Sequence, residues 1–314
     1  MTVLRCIVNI RIPQTKGTAT GKNRSTRLFA RLNLVDRLYL FYLTAVAGLA
    51  IWSSHSALRI TFAHCAIATL IVLLAMNAHR SKVIRFLHDW YPLAMFIFSF
   101  EEMARFSLLL VPHWQDSRIV AVEQRVFSIS PNFWAKHGTR LQSEIMDLGY
   151  FSYYPLFPVV AGCLYARTDR RPFHRLVLAA VWMYLISFCV YLAFPLEGPR
   201  RALAGFHTPP SGWLFSALVR AIQSGAGVHG NALPSSHVAL ALLCAFSAQR
   251  WLPRLAPFVW TSLCLICLGA VYGGYHYLSD VLAGLLAALT SARLSSLTVS
   301  LSCKIEQPTR PRFS

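Results

Sequence analysis

The dominant pattern along the chain is an alternation of long apolar runs with short polar linkers. The runs extend roughly 17 to 22 residues, the length at which a helix crosses the hydrocarbon core of a bilayer. The pattern predicts eight spans, near residues 37–54, 57–76, 91–112, 147–166, 174–194, 235–251, 255–274 and 276–297. The expected fold is therefore all-α, an integral-membrane helical bundle of about eight transmembrane helices.

The linkers give the bundle a direction. Basic residues gather in the N-terminal tail, in "NAHRSKVIRFLHD" (77–89), in "ARTDRRPFHR" (166–175), in "RWLPR" (250–254) and in the C-terminal tail with Lys304, Arg310 and Arg312. With eight spans these segments all fall on one side. Lys and Arg are retained on the cytoplasmic side of a membrane, so both termini are expected there. The expected division is a basic cytoplasmic tail (1–36), a polytopic membrane domain (37–297) and a C-terminal cytoplasmic tail (298–314). The first segment is basic with no acid before Asp36. It lacks the apolar core and cleavage site of a secretory signal, and a plain tail is preferred to a transit peptide. The expected setting is a bacterial inner membrane.

Composition supports this reading. Hydrophobic residues make up 55% of the chain and charged residues 13%, against about 25% charged in a soluble domain. A net charge of +18 would suit a nucleic-acid partner, but the basic residues lie between apolar runs rather than on one soluble face. Nucleic acid is not an expected partner; the bilayer is. Cys264 and Cys267 form a CxxC inside an apolar run without a second pair, which reads as packing rather than metal or redox chemistry.

The exceptions to the apolar pattern carry the chemistry. "HYLSDVLAG" (276–284) places His276 and Asp280 one turn apart at the start of the last span. "FPLEGPRRAL" (194–203) and "NALPSSHVAL" (231–240) reach the same membrane face. One surface thus collects Arg200, Arg201, Ser235, Ser236, His237, His276 and Asp280. Arginine forks neutralise phosphate oxygens. Pro234 suits a first helical turn, and the N–H groups of Ser235, Ser236 and His237 would then face an anion. Asp280 can take one ring N–H of His276, making His276 the candidate nucleophile and leaving His237 as the general acid. That set is equipped for metal-free phosphoryl transfer.

The three stretches resemble, in order and spacing, the signature of the type 2 phosphatidic acid phosphatase (PAP2) superfamily. "PSSH" is similar to its Pro-Ser-Gly-His motif, with Ser236 in place of glycine. "HYLSD" matches its His-x-x-x-Asp. "FPLEGPR", "HDWYP" (88–92) and "YFSYYPLFP" (150–158) resemble the branch that includes inositol phosphorylceramide synthase. The resemblance implies a PAP2-like catalytic core at about 147–297. It also implies a membrane lipid phosphatase or phosphotransferase working through a phosphohistidine at the non-cytoplasmic face, with a lipid phosphate or phospholipid as substrate and no metal or other cofactor. Two departures stand out. Gly269 and Ala270 occupy the places of the third motif's Ser-Arg, and Ala193 that of the first motif's lysine. The alternative class is a catalytically silent lipid-binding or scaffold membrane protein of the same fold.

Other polar positions read as structural. Glu101 and Arg105 can pair at i, i+4 within the third span. A transporter built on Glu101 and Glu102 would need more polar residues along several spans than the chain has. His207 and His229 read as loop histidines that could line a pocket. The aromatic clusters at 150–158 and Trp90–Tyr91 read as interfacial belts first and a lipid groove second. The Gly- and Ala-rich loop 202–233 is expected to close over the site.

Overall fold

The computed structural model describes residues 31–53, 57–128, 130–203, 206, 208–225 and 230–305, with side chains to residue 300. His207, His229 and most of the basic N-terminal tail lie outside the described residues. Helices account for the architecture: α1 Leu34–Ser53, α2 Ala57–Asn77, α3 Lys82–Ala104, α4 Asp116–Phe127, a 3-10 turn Pro131–His137, α5 Arg140–Phe151, α6 Tyr153–Tyr165, α7 Arg171–Ala193, a one-turn α8 Pro199–Ala202, α9 Leu214–Gly225, α10 Ser236–Trp251, α11 Ala256–Tyr272 and α12 Leu278–Ile305. The all-α expectation holds. Among the described residues four helices are both long and apolar enough to cross a membrane: α1, α2, α7 and residues 278–300 of α12. Eight is the count predicted by the apolar pattern; α11 is apolar but shorter.

Six of the expected spans match helices to within a few residues, apart from the longer C-terminal end of α12. The other two shift for local reasons. The run 91–112 belongs to a helix that starts at Lys82, because the Ser81 side chain accepts from Val83 N and caps it. That helix ends at Ala104, and residues 105–113 form turns and bends ahead of and around Pro112. The run 147–166 splits into α5 and α6 at Ser152. The start of α5 is fixed at Arg140 by a capping box between Thr139 and Gln142.

The bundle is organised around α10, which packs against α6, α7, α11 and α12. Its residues Val238 to Ala245 are buried without interruption, and three of them are alanine. A helix apolar on all sides is one enclosed on all sides, and small residues let its neighbours approach closely. At Gly284 on α12, an added Cβ would lie 2.6 Å from the Ser235 carbonyl oxygen. The glycine therefore lets the start of α10 sit directly against α12.

Polar side chains buried in the first three helices form two closed networks. Asp36 accepts from Tyr91 Oη at 2.9 Å and from His88 Nε2 at 3.1 Å. Glu102 accepts from Tyr42 Oη at 2.8 Å and pairs with His64 Nε2 at 2.8 Å, while His64 Nδ1 meets the Leu43 carbonyl at 2.9 Å. The paired acid of the third helix is thus Glu102, not Glu101; Glu101 is exposed and Arg105 caps the helix end. Trp90 and Tyr91 are half-buried and pack their rings against Tyr165, Phe173 and Tyr39.

Removing one partner of a buried polar pair leaves the other desolvated. Glu102→Ala should cost about 3 kcal/mol or more, read as a clear fall in Tm in detergent. Glu101→Ala, on the exposed neighbour, should leave Tm nearly unchanged. Equal effects would contradict the assignment.

Candidate active site

The three motif stretches converge because each is tied to the others by backbone hydrogen bonds. After α7 ends, Leu196 forms an isolated parallel bridge with Asn231, joining the first stretch to the second. Arg200 N donates to Gly274 O at 3.2 Å, joining the first to the third. Ser235 N donates to Asp280 O at 3.0 Å, joining the second to the third.

His276 sits at the centre of these ties. Its Nδ1 lies 3.0 Å from the Ala232 carbonyl and 3.5 Å from Asp280 Oδ2. A ring nitrogen facing two acceptors carries the hydrogen. Nε2 is then left with its lone pair. Asp280 is fully buried, and its Oδ2 also accepts from Tyr277 N at 2.9 Å. The expected His276–Asp280 contact is present, but the nearer partner is the Ala232 carbonyl. The second histidine, His237, has its ring centroid 5.7 Å from that of His276. Its other neighbours are tyrosines: Tyr150 stacks on it at 5.2 Å, Tyr153 lies at 4.1 Å, and Tyr150 Oη is 3.4 Å from Nε2. The cluster "YFSYYPLFP" therefore builds the wall around His237, where an interfacial belt was the first expectation.

The serines divide their work. Ser235 is the N-cap of α10, its hydroxyl accepting from Val238 N at 3.4 Å. Its own N–H is spent on Asp280 O and its side chain is fully buried. It positions the helix start rather than facing the cavity, and Pro234 lies before the cap rather than in the first turn. Ser236 and His237 remain as the residues at the open helix N-terminus, and both line the cavity.

That cavity has a volume of about 750 Å³. Arg200, Arg201, His237 and His276 all line it. Arg200 is held in place: its guanidinium donates to Gly273 O and to Tyr275 Oη at 3.1 Å and lies 4.2 Å from the Tyr275 ring centroid. Burial pushes the Tyr275 phenol up to about 12, against the lowering effect of Arg200, so it keeps its proton for donation. The third-motif position, Ala270, is fully buried, and an added Cβ at Gly269 would lie 2.4 Å from Met146 O. The close crossing of α11 on α5 leaves no room there for a serine–arginine pair.

A third arginine lines the cavity that the motif spacing did not predict. Arg220 comes from α9, inside the stretch expected to be a closing loop. The sequence signal was available: Phe215, Val219 and Ile222 recur at helical spacing, with Arg220 on another face. The helix is anchored by Glu144, whose carboxylate accepts from Trp213 N at 2.6 Å, Phe215 N at 2.9 Å and Ser216 N at 3.4 Å. Loss of hydration pushes the Glu144 carboxyl up, and the N–H donors of residues 213–216 more than offset this, holding it below its ordinary value.

Three further residues hold the site from outside it. Asp116 accepts from Glu197 N at 2.8 Å, Gly198 N at 2.9 Å and Tyr277 Oη at 3.0 Å, clamping the first stretch to the third. Glu123 accepts from Ser279 N and Oγ at 2.9 and 3.0 Å, satisfying the start of α12. Asn132 donates to Val271 O and His276 O, both at 2.9 Å. Among the described residues, no three His, Cys, Asp or Glu side chains cluster as a metal centre would require.

A family model described as the PAP2 superfamily matches residues 117–294, more than half of the chain. Among curated proteins, the chain is 30% identical over 107 residues to a PA-phosphatase related-family protein of Dictyostelium discoideum. That alignment takes in 32% of this chain and 19% of the relative, so the chain spans a minor part of the relative's length. No solved structure matches the chain.

The Glu144 anchor gives a pH signature. Because its folded-state value is lowered, its contribution is complete above the ordinary glutamate value of about 4.3 and is lost as pH falls through the lower folded value. Protection factors at amides 213–216 should therefore drop at acid pH. Glu144→Gln should show reduced protection already at pH 7. Equal protection in variant and wild type would contradict the anchor.

Proposed function

Because the chain belongs to the PAP2 superfamily, we propose that it is a membrane lipid phosphatase or phosphotransferase acting through a phosphohistidine on His276. The observation that carries the reading is the pair of histidines 5.7 Å apart at one cavity with three arginines. His276 Nε2 attacks phosphorus and the bond to the leaving oxygen breaks. His237 gives that oxygen its proton. Water or an alcohol then attacks the phosphohistidine, returning its own proton to His237 and freeing His276. Arg200, Arg201 and Arg220, with the amides at the start of α10 and Ser236, meet the phosphate oxygens. Arg201 and Arg220 supply the charge that Ala193 and Ala270 do not.

The resemblance to the inositol phosphorylceramide synthase branch favours an alcohol acceptor. The cavity volume leaves room for a phosphate and a second polar head group. The basic linkers favour cytoplasmic termini and a site on the non-cytoplasmic face; the proposed host is a bacterial inner membrane, with the site on its periplasmic face. A second reading, a silent bundle that binds lipid phosphate without turnover, draws on Ala270, where the family pattern has arginine.

The test is turnover of a panel of lipid phosphates in detergent, with chelator and with and without alcohol acceptors. Phosphate release or transfer should resist chelator and fall at least about a thousandfold in His276→Ala. Arg220→Gln, which removes a charge-assisted hydrogen bond, should lower kcat/KM by about ten- to a hundredfold. Turnover that survives in His276→Ala would contradict the mechanism. Lipid binding without any turnover would favour the silent bundle.

A further inference from the structure

The crossing that excludes the third-motif arginine brings a different side chain into the site. Gly149 on α5 and Gly269 on α11 let the two helices touch. An added Cβ at Gly149 would lie 2.6 Å from Leu265 Cβ, and one at Gly269 would lie 3.3 Å from Tyr150 Cβ. Small residues at a crossing permit this approach. Tyr150, next to the first glycine, is thereby carried to the wall of the histidine cavity, which it lines although almost fully buried.

Its ring joins residues from all three motif stretches. Tyr150 stacks on His237 at 5.2 Å, with 24° between the planes, and on Tyr275 at 4.2 Å, with 20°. Tyr275 in turn carries the Arg200 guanidinium 4.2 Å from its centroid. Flat groups from α10, α5, the turn before α12 and α8 thus lie in one series of contacts. The series sets His237 at a fixed distance from an arginine of the cavity.

The hydroxyl of Tyr150 has a more specific place. Its Oη lies 3.4 Å from His237 Nε2, and Gln223 Nε2 on α9 donates to it at 3.5 Å. The other ring nitrogen of His237, Nδ1, is buried with no hydrogen-bond partner among the described residues. Nε2 is therefore the nitrogen placed to exchange a proton at the cavity. A phenol both donates and accepts. It accepts from Nε2–H while His237 holds the proton, and donates to the Nε2 lone pair once that proton has gone to the leaving oxygen. The hydrogen bond from Gln223 leaves the phenol hydrogen free for the second arrangement. The neighbouring hydroxyls are otherwise engaged: Tyr153 Oη pairs with Tyr184 Oη at 3.3 Å, and Tyr275 Oη accepts from Arg200.

We infer that Tyr150 is a positioning residue for His237, whose hydroxyl keeps Nε2 aimed at the leaving oxygen through both protonation states. It acts through the histidine and brings no charge to the phosphate, so it does not stand in for the lost arginine. The inference rests on His237 being the acid of the proposed reaction.

The test is Tyr150→Phe in the full chain, which keeps the ring series and removes the hydroxyl. Its Tm should stay close to that of wild type. With a lipid phosphate as substrate, kcat should fall about tenfold or more while KM changes by less than about twofold. The limb of the pH profile that belongs to His237 should move. Replacement of Tyr150 by a fluorotyrosine, which keeps a hydroxyl, should restore most of kcat. Independently of turnover, nitrogen NMR of histidine-labelled protein should show the His237 Nε2 resonance shifting in Tyr150→Phe, with those of His64 and His88 in place. An unchanged kcat, a rise in KM alone, or a fluorotyrosine variant as slow as Tyr150→Phe would overturn the inference and leave the phosphohistidine reading intact. If wild type showed no turnover, or His276→Ala kept it, that reading would fail instead. The hydroxyl contact would then stand on the His237 resonance, a shift supporting it and an unmoved resonance overturning it.

Discussion

The arrangement of the site depends on one hydrogen-bonding constraint, the fixing of His276 Nδ1 by two acceptors. The Ala232 carbonyl lies 3.0 Å away and Asp280 Oδ2 lies 3.5 Å away. With its proton held there, the imidazole has one orientation and one basic nitrogen, Nε2. Asp280 takes part while fully buried because it also caps its own helix through Tyr277 N, and its backbone carbonyl receives Ser235 N. The same residue therefore sets the tautomer of one histidine and the position of the helix that begins at the other.

This constraint is enforced from a distance. Asp116 and Glu123 sit two turns apart on α4, so both carboxylates face the motif loops from one helix. One clamps residues 197–198 to Tyr277 and the other secures the start of α12. Asn132 bridges the end of α11 and His276 through two carbonyls. A polar network of this kind stiffens a site when each of its groups is matched. The charge of Arg200 is stabilised in part by its stacking over the Tyr275 ring.

The motif residues were legible because their relationships are local. His276 and Asp280 are one turn apart, and Ser235 to His237 form a helix start whatever surrounds them. The all-α membrane class was legible from the length of the apolar runs. Asp116, Glu123 and Asn132 were not, because they reach the site only through tertiary packing from outside the motif stretches; the helix of Arg220 was signalled by its apolar spacing, but its placement at the cavity is set by packing. The tyrosines at 150–154 were seen, but their packing around His237 was not legible: an aromatic cluster near a membrane surface has the same composition whether it faces lipid or encloses a histidine. Glu101 and Glu102 could not be told apart by sequence, since which of two adjacent residues faces the interior is decided by helix rotation. Ala270 shows the converse. Its departure from the family pattern was plain in the sequence, and the reason, the close crossing of α11 on α5 at Gly269, is visible only in the fold.

The most direct test of the central claim is to quench the wild-type protein during incubation with a lipid phosphate and map any phosphohistidine by mass spectrometry, assigning the phosphorylated nitrogen. The account predicts modification of His276 on Nε2, the nitrogen left free by Ala232 and Asp280. Modification of His276 on Nδ1, or of His237 instead, would contradict it.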